Sequence, residues 1–224
     1  MDLLIILGII AIPVIAQIGI SVNYSKYKNI ENSKKLSGFD VARKILDKNG
    51  LQNVHVVEVR GNLTDHYDHS RKVVRLSSDI FHGESVAAIA VAAHECGHAV
   101  QHARMYAPLK MRSALVPVVN FASSIMTWIL LVGILLVNTF PQLLLAGIIL
   151  FAMTTLFSFI TLPVEINASK RALVWLSSSG ITNSYNHAQA EDALRSAAYT
   201  YVVAALSSLA TLVYYIMIFM GRRD

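Results

Sequence analysis

The stretch "AAHECGHAVQH", residues 92–102, sets His94, Glu95 and His98 inside an otherwise apolar run. Residues four apart on a helix lie on one face, about a turn from each other. His94 and His98 can therefore offer two imidazole nitrogens to a single ion. Zn2+ suits such ligands, at about 2.0–2.1 Å. Glu95 adjoins the first histidine, so its carboxylate lies to one side of the metal, where it can take a proton from bound water. This is the H-E-x-x-H arrangement of metal-assisted peptide hydrolysis. A pattern with three fixed positions also arises by chance, so its surroundings matter. The preceding "SVAAIAVAA" is a small-residue helix that can sit buried against others. Burying three polar side chains without partners is expensive, and a cation would resolve that cost. Cys96 is two residues from His94, points to the opposite face, and reads as core packing.

A catalytic zinc needs a third protein ligand and an open position. Glu165, in "LPVEINASKRAL" (162–173), is the candidate. Pro163 is expected to break the helix near the membrane surface, with Glu165 just beyond. The alternative for Glu165 is an interfacial carboxylate paired with Lys170 or Arg171. The other histidines are His55, His66, His69, His82, His102 and His187. His102 is nearest, but it lies a turn past His98 and drifts away from an ion held by the first pair.

The elements that position these residues follow from composition. The 224-residue chain is 54% hydrophobic and 15% charged. That balance belongs to the membrane class rather than to a soluble domain. The single cysteine excludes an internal disulfide framework. Residues 3–22, 115–137, 142–162 and 200–220 are each about one bilayer long and uncharged. The first reads as a retained anchor rather than a signal peptide, because no basic region precedes it. "NTFP" (138–141) is a tight hairpin between the second and third spans. The expected organisation is an anchor (1–22), a polar domain (23–114), a transmembrane hairpin (115–162), a segment carrying Glu165 (163–199) and a last span with its tail (200–224).

Four crossings place 23–114 and 163–199 on one side. These regions hold 14 and 3 of the Lys and Arg residues, and the other side holds only Arg222 and Arg223. The positive-inside rule then makes the polar domain cytoplasmic, and the net charge of +5 reports topology rather than a nucleic-acid partner. Within the polar domain, 37–51 reads as an amphipathic helix with Val41, Ile45 and Leu46 on one face, stopped by Asn49-Gly50. "VHVVEVR" (54–60) and "RKVVRLS" (71–77) read as strands, "GNLTDHYDHS" (61–70) as a turn, and 84–104 as helix.

Three segments together, "LTDHYDHSRKVVRLS" (63–77), "AVAAHECGHAVQHA" (90–103) and "LPVEINASKRAL" (162–173), resemble the YugP-like membrane zinc metallopeptidases, a family of neutral zinc peptidases. "AAYTYVVAALSSLATLV" (197–213) resembles the last span of that family. The resemblance runs from about Gly38 to Leu212. With the spans and charges above, the expected fold is a mainly α membrane protein with about four transmembrane helices and a small α+β zincin-like domain at its cytoplasmic face. The resemblance implies one Zn2+ held by His94, His98 and Glu165, with Glu95 as general base. More distantly the chain resembles the gluzincin pattern of the HtpX-like proteases and the CAAX prenyl endopeptidases. In that pattern an acidic residue a few positions after the glutamate orients the first histidine. Here Asn167 stands in its place, an uncharged acceptor for an imidazole N–H.

The expected activity is hydrolysis of peptide bonds in peptides or membrane proteins by a membrane-embedded enzyme. "RKVVRLS" is expected to be an edge strand able to pair with an extended peptide. "TDHYDHS" reads as a second ion site, as a loop orienting histidines, or as a solvated turn. Arg171, His187, Tyr185 and Tyr106 are candidate oxyanion stabilisers. Two other readings stay open: an intramembrane protease, which would take an aspartate ligand that none of the spans contains, and a zinc-stabilised scaffold without catalysis.

Overall fold

The structure is a computed structural model and describes residues 2–62 and 64–221, with the side chains of 2–6, 9, 10, 16, 20, 21, 23 and 24 outside the described set. Ten elements follow one another: α1 (Asp2–Lys28), α2 (Gly38–Lys48), β1 (His55–Val59), β2 (His66–Asp68), β3 (Val73–Ser77), α3 (Ser78–Phe81), α4 (Val86–Ala103), α5 (Ala107–Leu135), α6 (Pro141–Ser178) and α7 (Ser184–Met220).

The helices α5, α6 and α7 are long and apolar enough to cross a membrane. The first expected span, 3–22, lies on α1, and much of it falls on side chains outside the described residues. So do Arg222 and Arg223. The hairpin at 138–141 is present: α5 ends at Leu135 and α6 starts at Pro141. Proline is tolerated there because the first helical N–H has no intrahelical partner. The hairpin closes tightly because Gly133 has no side chain. A Cβ at that position would lie 2.7 Å from the Leu144 Cα.

Pro163 does not end its helix. α6 runs through it for 38 residues. Proline removes one hydrogen bond from a helix, but long apolar helices packed among others accommodate the loss. Glu165 therefore sits on the same continuous helix as the third span. Likewise α7 is one helix from Ser184 onward and carries the fourth span as its second half.

The polar domain is built around α4. Its first three turns are mostly alanine and valine, so neighbours approach closely. Ser85 caps it by accepting from the Ala88 N–H at 3.1 Å. The buried face of α2, formed by Val41, Ala42, Ile45 and Leu46, packs on α4 together with Val74 and Leu76 of β3. A capping box starts α2: the Ser37 hydroxyl accepts from Asp40 N–H at 3.1 Å, and the Asp40 carboxylate accepts from Ser37 N–H at 3.1 Å. Gly50 follows with a φ of +73°, a left-handed stop at the expected Asn49-Gly50. The C-terminal end of α1 is tied in by Lys28, whose ammonium lies 2.6 Å from Asp79, and by the Tyr27 hydroxyl, which donates to Asp192 of α7.

The sheet corrects the sequence reading in one respect. Its order is β1-β3-β2, with β3 parallel to β1 and antiparallel to β2. The strand at 71–77 is thus central, and both its edges are already paired. The segment 61–70, read as a turn, contains the edge strand β2, whose Tyr67 pairs with Val74. Three residues dense in histidine and aspartate carry almost no strand signal of their own. The pairing comes from the tight β2–β3 connection. Asp68 organises that connection, accepting from the Ser70 hydroxyl at 2.6 Å and from the Ser70 and Arg71 N–H groups at 3.1 Å each. The Ser70 hydrogen bond, with the backbone donors and Arg75, holds the Asp68 carboxyl at about 2, below its ordinary value of 3.8. A carboxyl lowered by folding contributes stability that is complete above its unfolded value and lost as pH falls through its folded one. Asp68→Asn should therefore lower the melting temperature at neutral pH, and the difference from the parent should fade between pH 4 and pH 2, as followed by thermal unfolding in detergent.

Candidate metal centre

α4 and α6 cross where neither has a bulky side chain. A Cβ at Gly97 would stand 2.8 Å from the Ala168 carbonyl oxygen and 3.0 Å from its Cα. That approach brings the side chains on either side of Gly97 onto those flanking Ala168. His94 Nε2 lies 3.2 Å from Glu165 Oε2, and His98 Nε2 lies 3.5 Å from the same oxygen. The two Nε2 atoms are 3.2 Å apart. Among the described residues these are the one group of three His, Cys, Asp or Glu donors close enough to share an ion. Ligand atoms about 2.0–2.1 Å from a tetrahedral Zn2+ stand roughly 3.3–3.4 Å from one another. The three distances match one face of that tetrahedron, so the residues fit the ion.

Each donor is held from behind. His98 turns Nδ1 to the Gln101 Oε1, 3.0 Å away. Gln101 is fully buried, and its amide N–H2 donates to the Val164 carbonyl at 2.8 Å and to Asn167 Oδ1 at 3.1 Å. Those two donations leave Oε1 as the acceptor, so His98 carries its proton on Nδ1 and presents a lone pair at Nε2. His94 turns Nδ1 to the Ser169 hydroxyl at 3.1 Å. Glu165 is 2% exposed, and its second oxygen, Oε1, lies 3.4 Å from an Arg112 guanidinium nitrogen at the start of α5. Burial disfavours a charged His98 imidazole, but the hydrogen bond and charge of Glu165, with Glu95 nearby, outweigh it and raise its pKa.

Asn167, which stands where the gluzincin pattern has the acidic residue that orients the first histidine, is bonded to other partners than His94. Its oxygen accepts from Gln101 and from Arg171 Nε at 2.8 Å, so it supports the second histidine through Gln101. The residue beside His94 is Ser169, one helical turn beyond Glu165. Neither Gln101 nor Ser169 was singled out from the sequence. Their spacing, three residues after His98 and four after Glu165, is the signal that could have found them.

The cleft in front of the donors is lined by Glu95, by Asp65, His66, Tyr67 and His69 at β2, by His102, by Leu109, Arg112, Ser113 and Val116 of α5, and by Tyr201 of α7. Arg171, His187, Tyr185 and Tyr106 do not line it. Arg171 is bound to Asn167, His187 faces Thr182, and Tyr106 approaches the Pro163 carbonyl. Arg112 and Tyr201 are the polar groups that sequence reading missed. The "TDHYDHS" segment forms no second ion site among the described residues. Asp65 accepts from the Ser77 N–H at 2.7 Å, while Tyr67 and the His102 Nδ1 are 3.0 Å apart. Burial, with the charges of His69 and Lys72, lowers His102, and burial raises the Tyr67 phenol. The neutral imidazole thus accepts from the protonated phenol. Cys96 is buried in the core, where its thiol is pushed far up and meets only the Ala42 carbonyl, at 3.6 Å.

Three helices able to cross a membrane, a small sheet and a His, His, Glu cluster fit the class of membrane zinc proteins. Comparison narrows the class. The family model described as "Putative neutral zinc metallopeptidase" matches residues 2–220. A protein of Bacillus subtilis (strain 168) named "Putative membrane protease YugP" is 46% identical over 209 residues, which cover 93% of this chain and 92% of that protein. No solved structure matches. The chain is a member of the neutral zinc metallopeptidase family.

Two substitutions test how the cluster is held. Gly97→Ala forces α4 away from α6; overpacking of this kind costs about 1–3 kcal/mol and should weaken zinc binding, read by competition with a chromophoric chelator. Gln101→Leu removes the acceptor behind His98 and should lower zinc affinity by about 10–100-fold, with little change in the circular dichroism spectrum.

Proposed function

We propose that this protein is a zinc-dependent peptidase in which His94, His98 and Glu165 hold one Zn2+ and Glu95 is the general base. The observation that carries the reading is the triangle of donor atoms, 3.2, 3.2 and 3.5 Å on its edges, beside a carboxylate that lines the same cleft. Zn2+ bound there would lower the pKa of a water and polarise the scissile carbonyl.

The chain's own groups do the rest. Gln101 and Ser169 fix the imidazole rings, so the two Nε2 lone pairs stay aimed at one point. Arg112 occupies Glu165 Oε1 and leaves Oε2 for the histidines. Glu95 sits next to His94 in the helix and is 8% exposed. Its carboxylate takes the proton of the attacking water and returns it to the leaving amine. Tyr201, whose side chain enters the cleft from α7, is the best placed neutral donor for the developing oxyanion. β2 is an edge strand of the sheet, and its His66 and Tyr67 line the cleft. An extended peptide can pair with such an edge strand through main-chain hydrogen bonds. This role replaces the one expected of 71–77.

The site is proposed to face the cytoplasm. The domain side carries 17 Lys and Arg residues, 14 in 23–114 and 3 in 163–199, whereas the far side carries Arg222 and Arg223. The substrates are peptides or membrane proteins. Glu95→Gln separates catalysis from a structural metal. The variant should bind one zinc per chain, as measured by elemental analysis, and should hydrolyse casein at least about 10²-fold more slowly than the parent, the usual loss on removing a general base. Retention of full hydrolysis, or hydrolysis that survives removal of the metal, would refute the assignment.

A further inference from the structure

The cleft of the candidate site is bounded in part by α5, α6 and α7, the three helices able to cross a membrane. α5 and α7 both pack along α6 and not along each other. At the far end they converge on an apolar cluster with Leu130, Leu144 and Ile148 at its centre and Met126, Phe151 and Tyr215 around it. At the near end the cleft lies between them. Its α5 wall is Leu109, Arg112, Ser113 and Val116, spaced i, i+3, i+4 and i+7, which is one helical face. Its α7 wall is Tyr201, and Glu165 of α6 lies at the back.

The depth of these walls follows from helix rise. From Val116 to the end of α5, and from Tyr201 to the end of α7, the helices climb about 29 Å. From the start of α6 to Glu165 the climb is about 36 Å. A bilayer hydrocarbon core is about 30 Å thick. Helices running straight from those far ends across such a core would place Val116 and Tyr201 at its near boundary, and Glu165 just beyond it. Both wall residues are 38% exposed.

We propose that the protein takes membrane-anchored polypeptides sideways, between α5 and α7, and cleaves them at a bond a few residues outside their transmembrane helix. This rests on the peptidase reading above and names its substrate class. The occupant is fixed by two constraints. Apolar Val116, 38% exposed, stands where the membrane-crossing part of α5 begins, so a substrate helix can reach the mouth without leaving lipid. The interior is polar, with His66, His69, His102 and Arg112. An unwound backbone has no hydrogen-bond partners in hydrocarbon. It finds them at β2, so the scissile bond must lie at the boundary and not in the middle of the bilayer.

The test uses the full-length, zinc-loaded protein in phosphatidylcholine vesicles with two reporters. Each joins one transmembrane helix to the same casein-derived segment. One has a spacer of about 4 residues, and the other a spacer of about 40, with a flexible reach of roughly 35 Å. Sideways entry predicts that the short-spacer reporter is cut at least as fast as the long one. It also predicts that Val116→Trp slows the short one by roughly tenfold more than the long one. A photo-crosslinking amino acid at position 116 of the Glu95→Gln protein should capture the short-spacer reporter, a readout independent of turnover. The proposal is overturned if the long reporter is cut and the short one is not, if Val116→Trp slows both equally, or if soluble casein is cut while neither anchored reporter is. If the zinc-bound protein cuts neither reporter nor soluble casein, the peptidase reading itself fails and this proposal falls with it.

Discussion

The closeness of α4 to α6 is the constraint on which the rest of the structure depends. Gly97 lies against Ala168 with no room for a single added carbon. Only at that distance do two imidazoles from one helix and a carboxylate from another, 71 residues further on, come within about one hydrogen-bond length of each other. Burying such a group would be costly without mutual compensation. The compensation is visible in the coordinates: histidines face the carboxylate, an arginine faces its other oxygen, and a buried amide and a hydroxyl face the outer ring nitrogens. The alanine-rich start of α4, the capped α2 and the central strand all make that helix pair rigid rather than contribute donors.

The two histidines are not held equivalently. His98 is backed by a chain of fixed polarity, Arg171 to Asn167 to Gln101, that ends on a backbone carbonyl of α6. His94 is backed by a hydroxyl, which can rotate. The first ring is thus the more adjustable partner, and it adjoins Glu95. A buried polar network of this kind fixes one arrangement only when every member is satisfied, and the His98 branch meets that condition.

Much of this was readable from the residues because the signals were local. Histidines four apart, an apolar face stopped by Asn49-Gly50, and long uncharged runs each carry their geometry in their spacing. The helix 37–51, the strands near 54–60 and 71–77 and the hairpin at 138–141 follow from such signals. What was not readable depended on partners distant in sequence. Pro163 signals a break locally, but packing along α5 and α7 carries the helix through. β2 has three polar residues and exists because β3 runs beside it. The partners of Asn167 were not readable, since which face of α6 meets which face of α4 is decided by Gly97 and Ala168. Gln101 and Ser169 lie at helical spacing from residues that had been recognised, yet glutamine and serine are too common to stand out without the fold. Tyr201 lies in a stretch that reads as a plain membrane span, and Arg112 reads as one of the basic residues flanking another.

The continuity of α6 has a mechanical consequence. One unbroken helix begins at the far hairpin, crosses the apolar layer and carries Glu165 toward histidines that belong to another body. Transmembrane helices answer a change in bilayer thickness by altering their tilt. Because the helix continues through Pro163, such a change in tilt would displace its carboxylate against the imidazole pair. Lipid composition, which touches none of the three donors, would then act on the precision with which they meet.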